Sequence, residues 1–264
     1  MSSSKNTLVV PVYNKSWLTI RCLSSVLKNT SPQTRNLIVV DNYSTDDTPQ
    51  VLNDLKVKFE AQGWNFEIIT KAKENVGFGR AVNEGARRAT TDYVTILNND
   101  TWVMKDWDAV LLATIAEKKW DMISPYPYEK AFDETCIEKM AADYVRKNEG
   151  RTRREWNSIL MLFKNESLKK VGYFDERYYV TYEDTDLRER MNREGYSYGQ
   201  TGECFIWHHG QATRQDSAHP SGYELEGKRL FMEKWGFDPS IREAAKIEKF
   251  KRKWRKIKDK LGYF

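Results

Sequence analysis

With 264 residues, the chain is long enough to bury one substantial α/β core with an appendage at one end. Charged residues make up 31%, yet apolar runs recur regularly, which excludes a disordered polymer, and no stretch approaches the ~20 apolar residues that span a bilayer. The net charge of +5 is uneven: residues 240–264 hold ten Lys and Arg against three acids, +7, so the remainder carries −2.

Met1-Ser2-Ser3-Ser4-Lys5 leads straight into an apolar strand with no signal peptide, so a cytoplasmic protein is expected, with peripheral contact at the inner face of the membrane left open. Residues 7–14 are nearly all apolar up to Tyr13-Asn14, as in a strand buried on both faces, and Trp17, Ile20, Leu23 and Leu27 then repeat at helical spacing. A second apolar run, Leu37-Ile38-Val39-Val40, ends in Asp41-Asn42 and passes through a Ser/Thr/Asp-rich turn into a helix at about 47–62. Asn75-Val76-Gly77-Phe78-Gly79 precedes a helix expected to begin near Arg80. Tyr93-Val94-Thr95-Ile96-Leu97 is a third strand, ending in Asn98-Asn99-Asp100.

Strands alternating with helices predict a parallel sheet with right-handed crossovers, and such sheets bind ligands at the carboxyl ends of their strands. Asn14, Asp41 and Asp100 all fall there. A lone carboxylate at the end of a buried strand suits a metal and a diphosphate, although Asn and Asp are also ordinary turn formers.

The pattern changes between about 125 and 155, where Tyr126-Pro127-Tyr128 opens a polar, helical insertion that ends in the basic run Arg151-Thr152-Arg153-Arg154. Strand-like Ser158-Ile159-Leu160-Met161-Leu162-Phe163 follows, then aromatic-rich 173–179 and Glu183-Asp184-Thr185-Asp186. Cys204-Phe205-Ile206-Trp207 leads to the pair His208-His209. The three cysteines, Cys22, Cys136 and Cys204, are odd in number and widely spaced, which reads as reduced thiols rather than disulfides or a zinc site.

Taken in order, Pro11-Val12-Tyr13-Asn14, Val39-Val40-Asp41-Asn42-Tyr43-Ser44-Thr45-Asp46, Asn75-Val76-Gly77-Phe78 with Arg80-Ala81-Val82-Asn83, and Leu97-Asn98-Asn99-Asp100-Thr101 resemble the motifs of the family 2 glycosyltransferases. Gly172-Tyr173-Phe174-Asp175-Glu176, Tyr182-Glu183-Asp184-Thr185-Asp186-Leu187, Trp207-His208-His209-Gly210 and Lys234-Trp235-Gly236 continue the match, which covers roughly 6–237. The resemblance implies a GT-A fold: an α/β, Rossmann-like, mostly parallel central sheet flanked by helices. It implies a catalytic domain over 1–239, with a nucleotide-sugar half at about 1–102 and an acceptor half at about 103–239.

The same resemblance implies inverting, metal-dependent transfer from a UDP- or dTDP-sugar to a hydroxyl on a saccharide or lipid-linked glycan. Mn²⁺ or Mg²⁺ would neutralise the leaving diphosphate, held by Asp100 and a histidine, with His208 fitting the family position better than His209. Asp41 would accept from the N3–H of a pyrimidine, Pro11, Tyr13 and Asn14 would frame base and ribose, and Asn75, Gly77, Arg80, Asn98 and Asn99 would meet the nucleotide-sugar. Asp184 is the expected base for the acceptor proton, with Glu183 the runner-up. Bland readings stand beside these: an Asx turn at Asp41, a solvated Arg80, and acids that merely suit a helix dipole at 183–186, a reading that explains Asp186 best. Asn98 departs from the two-carboxylate form of the motif, which weakens metal binding in the absence of nucleotide; rhamnosyltransferase-like relatives share it and tilt the donor towards dTDP.

Ile247, Phe250, Trp254, Ile257 and Leu261 put an apolar stripe on a strongly basic helix expected over 240–264. It packs on the domain, lies on anionic membrane, or binds nucleic acid. The last option fits a viral-type enzyme acting on a hydroxymethylated base in DNA. A reading of a different class is a non-catalytic nucleotide-sugar or nucleic-acid binding module, against which the Glu183-Asp184 pair argues.

Overall fold

Strand β1 (Asn6–Val12) is the centre of the amino-terminal half, and the chain winds out from it in both directions: α1 (Ser16–Asn29), β2 (Thr34–Asp41), α2 (Thr48–Glu60), β3 (Asn65–Thr70), α3 (Phe78–Arg88) and β4 (Tyr93–Leu97). Strands β3, β2, β1 and β4 lie side by side and run parallel. The computed structural model describes residues 5–128, 135–210 and 222–241.

The apolar runs in these strands have a direct cause. Leu8, Val10, Val12, Leu37 and Val39 face one core with Leu23 and Val26 of α1 and Leu52 and Phe59 of α2. Val9, Ile38 and Val40 face the other, with Ala81, Val82 and Ala86 of α3. Side chains alternate across a strand, so covering both faces demands an unbroken apolar run. Each such Val, Leu or Ile contributes roughly 1.5–3 kcal/mol on burial.

Beyond β4 the sheet is mixed. The remaining elements are β5 (Thr101–Val103), α4 (Trp107–Lys118), β6 (Met122–Tyr128), α5 (Ile137–Asn148), β7 (Thr152–Arg153), β8 (Leu160–Lys164), α6 (Asn165–Val171), α7 (Glu183–Arg193), β9 (Tyr198–His208) and α8 (Tyr223–Trp235). The strand order is β3-β2-β1-β4-β8-β6-β9-β5, with β7 paired to β9. Strand β8 is antiparallel to both β4 and β6, β9 is parallel to β6, and β5 is antiparallel to β9. The parallel pairs of the mostly parallel sheet expected are those among its first four strands and the β6–β9 pair.

The polar insertion contains α5, whose Ile137 and Ala141 pack on Phe205 and Trp207 of β9. Its basic run is used locally: Arg153 donates through Nε to Gln200 at 2.6 Å and lies 4.3 Å over the Tyr126 ring, while Arg154 lies 5.8 Å over Tyr198. The basic helix expected over 240–264 lies almost wholly outside the described residues. Among those that are described, no helix is long and apolar enough to cross a membrane.

Candidate functional site

The carboxyl ends of β1 and β4, the end of β9 and the start of α7 enclose a cleft of about 620 Å³. Of the thirteen residues singled out from the sequence, nine line it: Pro11, Tyr13, Asn75, Asn98, Asn99, Asp100, Glu183, Asp184 and His208. Asn14, Asp41, Gly77 and Arg80 do not.

Strand pairing brings Asp100 and His208 together. Thr101 of β5 stands opposite His208 in the antiparallel ladder with β9, and His209 N–H donates to the Asp100 carbonyl at 2.9 Å. His208 Nε2 then lies 3.3 Å from Asp100 Oδ2, with both side chains largely buried. The next residue points elsewhere: the His209 ring packs edge-on against Trp17 and Trp207, each at 5.6 Å. Carboxylate and imidazole at that separation can be neighbouring ligands of one hard or borderline cation such as Mg²⁺ or Mn²⁺. Among the described residues no third His, Cys, Asp or Glu joins them.

Helix α1 buttresses this loop from below. Thr19 Oγ1 accepts from Asn99 Nδ2 at 3.0 Å, and Cys22 Sγ lies 3.7 Å from the Asn98 carbonyl, which also accepts from Thr101 Oγ1 at 2.8 Å. Burial pushes the Cys22 thiol up to about 12, so it stays protonated and can donate. Asn98 Oδ1 is buried with no hydrogen-bond partner among the described residues.

The opposite wall is the 180–182 loop and the first turn of α7. Asp184 is half-buried and accepts through Oδ1 from Thr185 N–H (2.6 Å) and Thr185 Oγ1 (3.2 Å); among the described residues nothing hydrogen-bonds to its Oδ2. Glu183 is buried beside it at 7% exposure. Asp186, fully buried, does different work: it accepts from Arg190 Nε (2.8 Å), Trp235 Nε1 (2.9 Å) and Lys234 Nζ (2.7 Å), tying α7 to α8. The helix-dipole reading of Asp186 therefore understates a buried clamp. Asp175 shares Lys234 at 2.8 Å, and its bonds to Arg177, with help from Lys234, hold its carboxyl well below the usual range.

The four residues off the cleft surface act from behind it. Asp41 is buried, with Oδ1 accepting from Ser44 N–H, three residues on rather than the two of an Asx turn, at 2.9 Å, while Oδ2 is buried with no hydrogen-bond partner among the described residues. Asn14, at φ 52, accepts from Thr45 N–H at 2.7 Å and so locks the turn after β1 to the turn after β2. Gly77 adopts φ +88, and a Cβ there would stand 2.1 Å from the Tyr179 carbonyl, so only glycine fits. Arg80 is exposed and donates Nε to the Glu176 carbonyl at 2.7 Å.

Sequence reasoning did not assign Asn42, which donates to Asn75 Oδ1 (2.7 Å) and Gly77 O (3.2 Å) and accepts from Val76 N–H (2.9 Å). Its place beside Asp41 at a strand end was the available signal. Glu224 on α8 also lines the cleft, and nothing in its charged surroundings marks it.

A mixed α/β sheet with its cleft at the strand ends, bearing a carboxylate–imidazole pair on one side and carboxylates on the other, has the architecture of a GT-A glycosyltransferase. The model for glycosyl transferase family 2 matches residues 7–176, and the chain belongs to that family.

Similar proteins include the uncharacterized glycosyltransferase YaiP of Escherichia coli (strain K12), 26% identical over 212 residues, or 75% of this chain and 50% of that protein. The poly(ribitol-phosphate) beta-glucosyltransferase of Bacillus spizizenii is 31% identical over 100 residues, 38% of this chain and 15% of that protein. The chain thus spans half or less of the length of these relatives. Among solved structures, S. aureus TarS 1–349 superposes with a TM-score of 0.60 at 17% identity, covering 86% of this chain and 64% of that one. GalNAc-T7 with UDP, GalNAc and Mn²⁺ gives 0.62 at 17% identity, covering 77% and 43%. At such identities the likeness is one of fold.

Proposed function

We propose that this glycosyltransferase moves a sugar from a UDP- or dTDP-sugar to a hydroxyl of a saccharide or lipid-linked glycan, with inversion, using Mn²⁺ or Mg²⁺. The observation that carries this reading is one cleft lined by both the Asp100–His208 pair and Asp184. Its volume of about 620 Å³ lies within the range of small-molecule sites. Support for a nucleotide-sugar donor comes from solved relatives described with UDP, with UDP-GlcNAc, and with GDP-Man and Mn²⁺.

Asp100 and His208 would hold the divalent cation, which supplies Lewis-acid neutralisation of the leaving diphosphate. Asp184 Oδ2, without a hydrogen bond from the described residues, would take the proton of the acceptor hydroxyl as its oxygen attacks the anomeric carbon and the bond to the diphosphate breaks. A single displacement needs one base and inverts the centre. Asp41 Oδ2, buried and without a hydrogen-bond partner among the described residues, suits the N3–H of a pyrimidine. Asn42 and Asn14 would act by holding the base-side loops in register. Arg80 would reach phosphate only by leaving the Glu176 carbonyl. The donor half is assigned to about 1–102 and the acceptor half to about 103–239, in a cytoplasmic protein.

The test is a donor panel with Mn²⁺, offered glycan, lipid-linked and hydroxymethylated-DNA acceptors, with nucleoside diphosphate release as readout. Release with a UDP- or dTDP-sugar is expected. Binding of nucleotide without release under any combination would favour a non-catalytic binding module instead.

A further inference from the structure

The described residues that line the cleft include four carboxylates, Asp100, Glu183, Asp184 and Glu224, and no Lys or Arg. Asp100 and Asp184 have work in the proposed reaction, and Glu183 sits buried beside Asp184. Glu224 does not belong to that set: it comes from the first turn of α8, and its side chain is exposed. Its hydrogen-bond contact is a long one of 3.4 Å with the hydroxyl of its neighbour Tyr223.

Glu224 is nevertheless held in place. Helix α8 packs so closely on the 180–182 loop that a Cβ at Gly227 would stand 2.6 Å from Thr181 Oγ1. Phe231 is buried, and Trp235 and Lys234 bond to Asp186 on the helix that carries Asp184. The clamp fixes the helix that carries Glu224 relative to the proposed base without using the Glu224 carboxylate. A carboxylate accepts hydrogen bonds and donates none, so what it grips must bring donors, and it repels anions. A phosphate near the attacking hydroxyl would meet a wall of like charge with no described Lys or Arg lining the cleft to offset it.

We infer that Glu224 is a specificity residue on the acceptor side, selecting an uncharged, hydroxyl-rich acceptor and rejecting one that carries phosphate next to the reacting hydroxyl. This rests on the proposed transferase reading. The test therefore begins with calorimetric titration of the purified protein with UDP and Mn²⁺; absence of any binding overturns the transferase reading itself, and with it this inference. With binding established, kcat/KM is compared for neutral oligosaccharides and for phosphate-bearing acceptors, polyol-phosphate oligomers and hydroxymethylated DNA.

The wild type is expected to favour the neutral class by about tenfold or more. Glu224→Gln is expected to raise the KM for neutral acceptors about tenfold, the loss of a charge-assisted hydrogen bond, with nucleotide affinity unchanged, and Glu224→Asp to recover part of it. Glu224→Lys is expected to shift preference towards the phosphate-bearing class about tenfold. Transfer to phosphate-bearing acceptors only, transfer to neither class, or unchanged acceptor KM in both Glu224→Gln and Glu224→Lys overturns the assignment.

Discussion

The two walls of the cleft are built by different means. On the β1–β4 side, backbone and amide groups cross-brace consecutive loops: Asn14 to Thr45, Ser44 to Asp41, Asn42 to Asn75 and Gly77, all rooted in a parallel sheet buried on both faces. On the α7–α8 side, a few charged groups around one buried carboxylate, Asp186, hold two helices together. A network made mostly of amides, Asp41 being its one carboxylate among the bonds named, tolerates the loss of one bond; a buried charge that loses its partners does not. The first wall should therefore be rigid and the second sensitive to single substitutions.

The sharpest division between the walls comes from Asp184→Asn. Transfer should fall about 10²–10⁴-fold, the usual contribution of a general base, while calorimetric affinity for nucleotide and Mn²⁺ is retained. Loss of both together would mean that Asp184 shapes the cleft instead of acting in the reaction. Asp100→Ala is the mirror experiment: metal-dependent nucleotide affinity should drop about 10-fold or more, the size of effect that removing a supporting group at a metal site produces. Metal titrations identical to wild type would remove Asp100 from the metal site.

Asp186→Asn probes the clamp. Stripping the charge from a buried carboxylate that meets both Arg190 and Lys234 should cost about 3 kcal/mol, a fall in Tm of about 6–12 °C by calorimetry. Acceptor KM should rise more than nucleotide Kd, because Glu224 and Asp184 are held through this contact; equal changes in both would erase the proposed asymmetry.

The smallest effect is expected at Asp175. Its folded-state pKa is depressed, so it stabilises the protein above its unfolded value of about 3.9, and that stability is lost as pH falls through the lower folded value. Asp175→Asn should lower Tm by a few degrees at pH 7 and flatten the decline in stability below about pH 4; an unchanged acid limb would contradict the assignment.

Legibility differed between the two walls for the same reason. Strands β1, β2 and β4 could be read because burial on both faces forces apolar runs, and their polar ends then mark the cleft edge. The mixed half gave weaker signals: β5 has three residues, and β6 and β9 carry Pro, Gly and polar residues among their apolar ones. The meeting of Asp100 with His208, 108 positions apart, depends on the antiparallel pairing of β5 with β9, which periodicity cannot express; it was reached through family resemblance. Arg80 illustrates the limit of motif position. Its place at the start of α3 was legible, but the competing Glu176 carbonyl that takes its Nε was not.

The buried thiol under the Asn98–Asp100 loop has a practical consequence. Cys22 is kept protonated by burial and so reacts with alkylating reagents only when α1 and the loop part, whereas half-buried Cys136 should label early. Its slow labelling rate is a clock for the breathing of the loop that carries Asp100. Stretching of that interval on addition of nucleotide and Mn²⁺ would reveal donor capture in the protein as it is, before any acceptor is known.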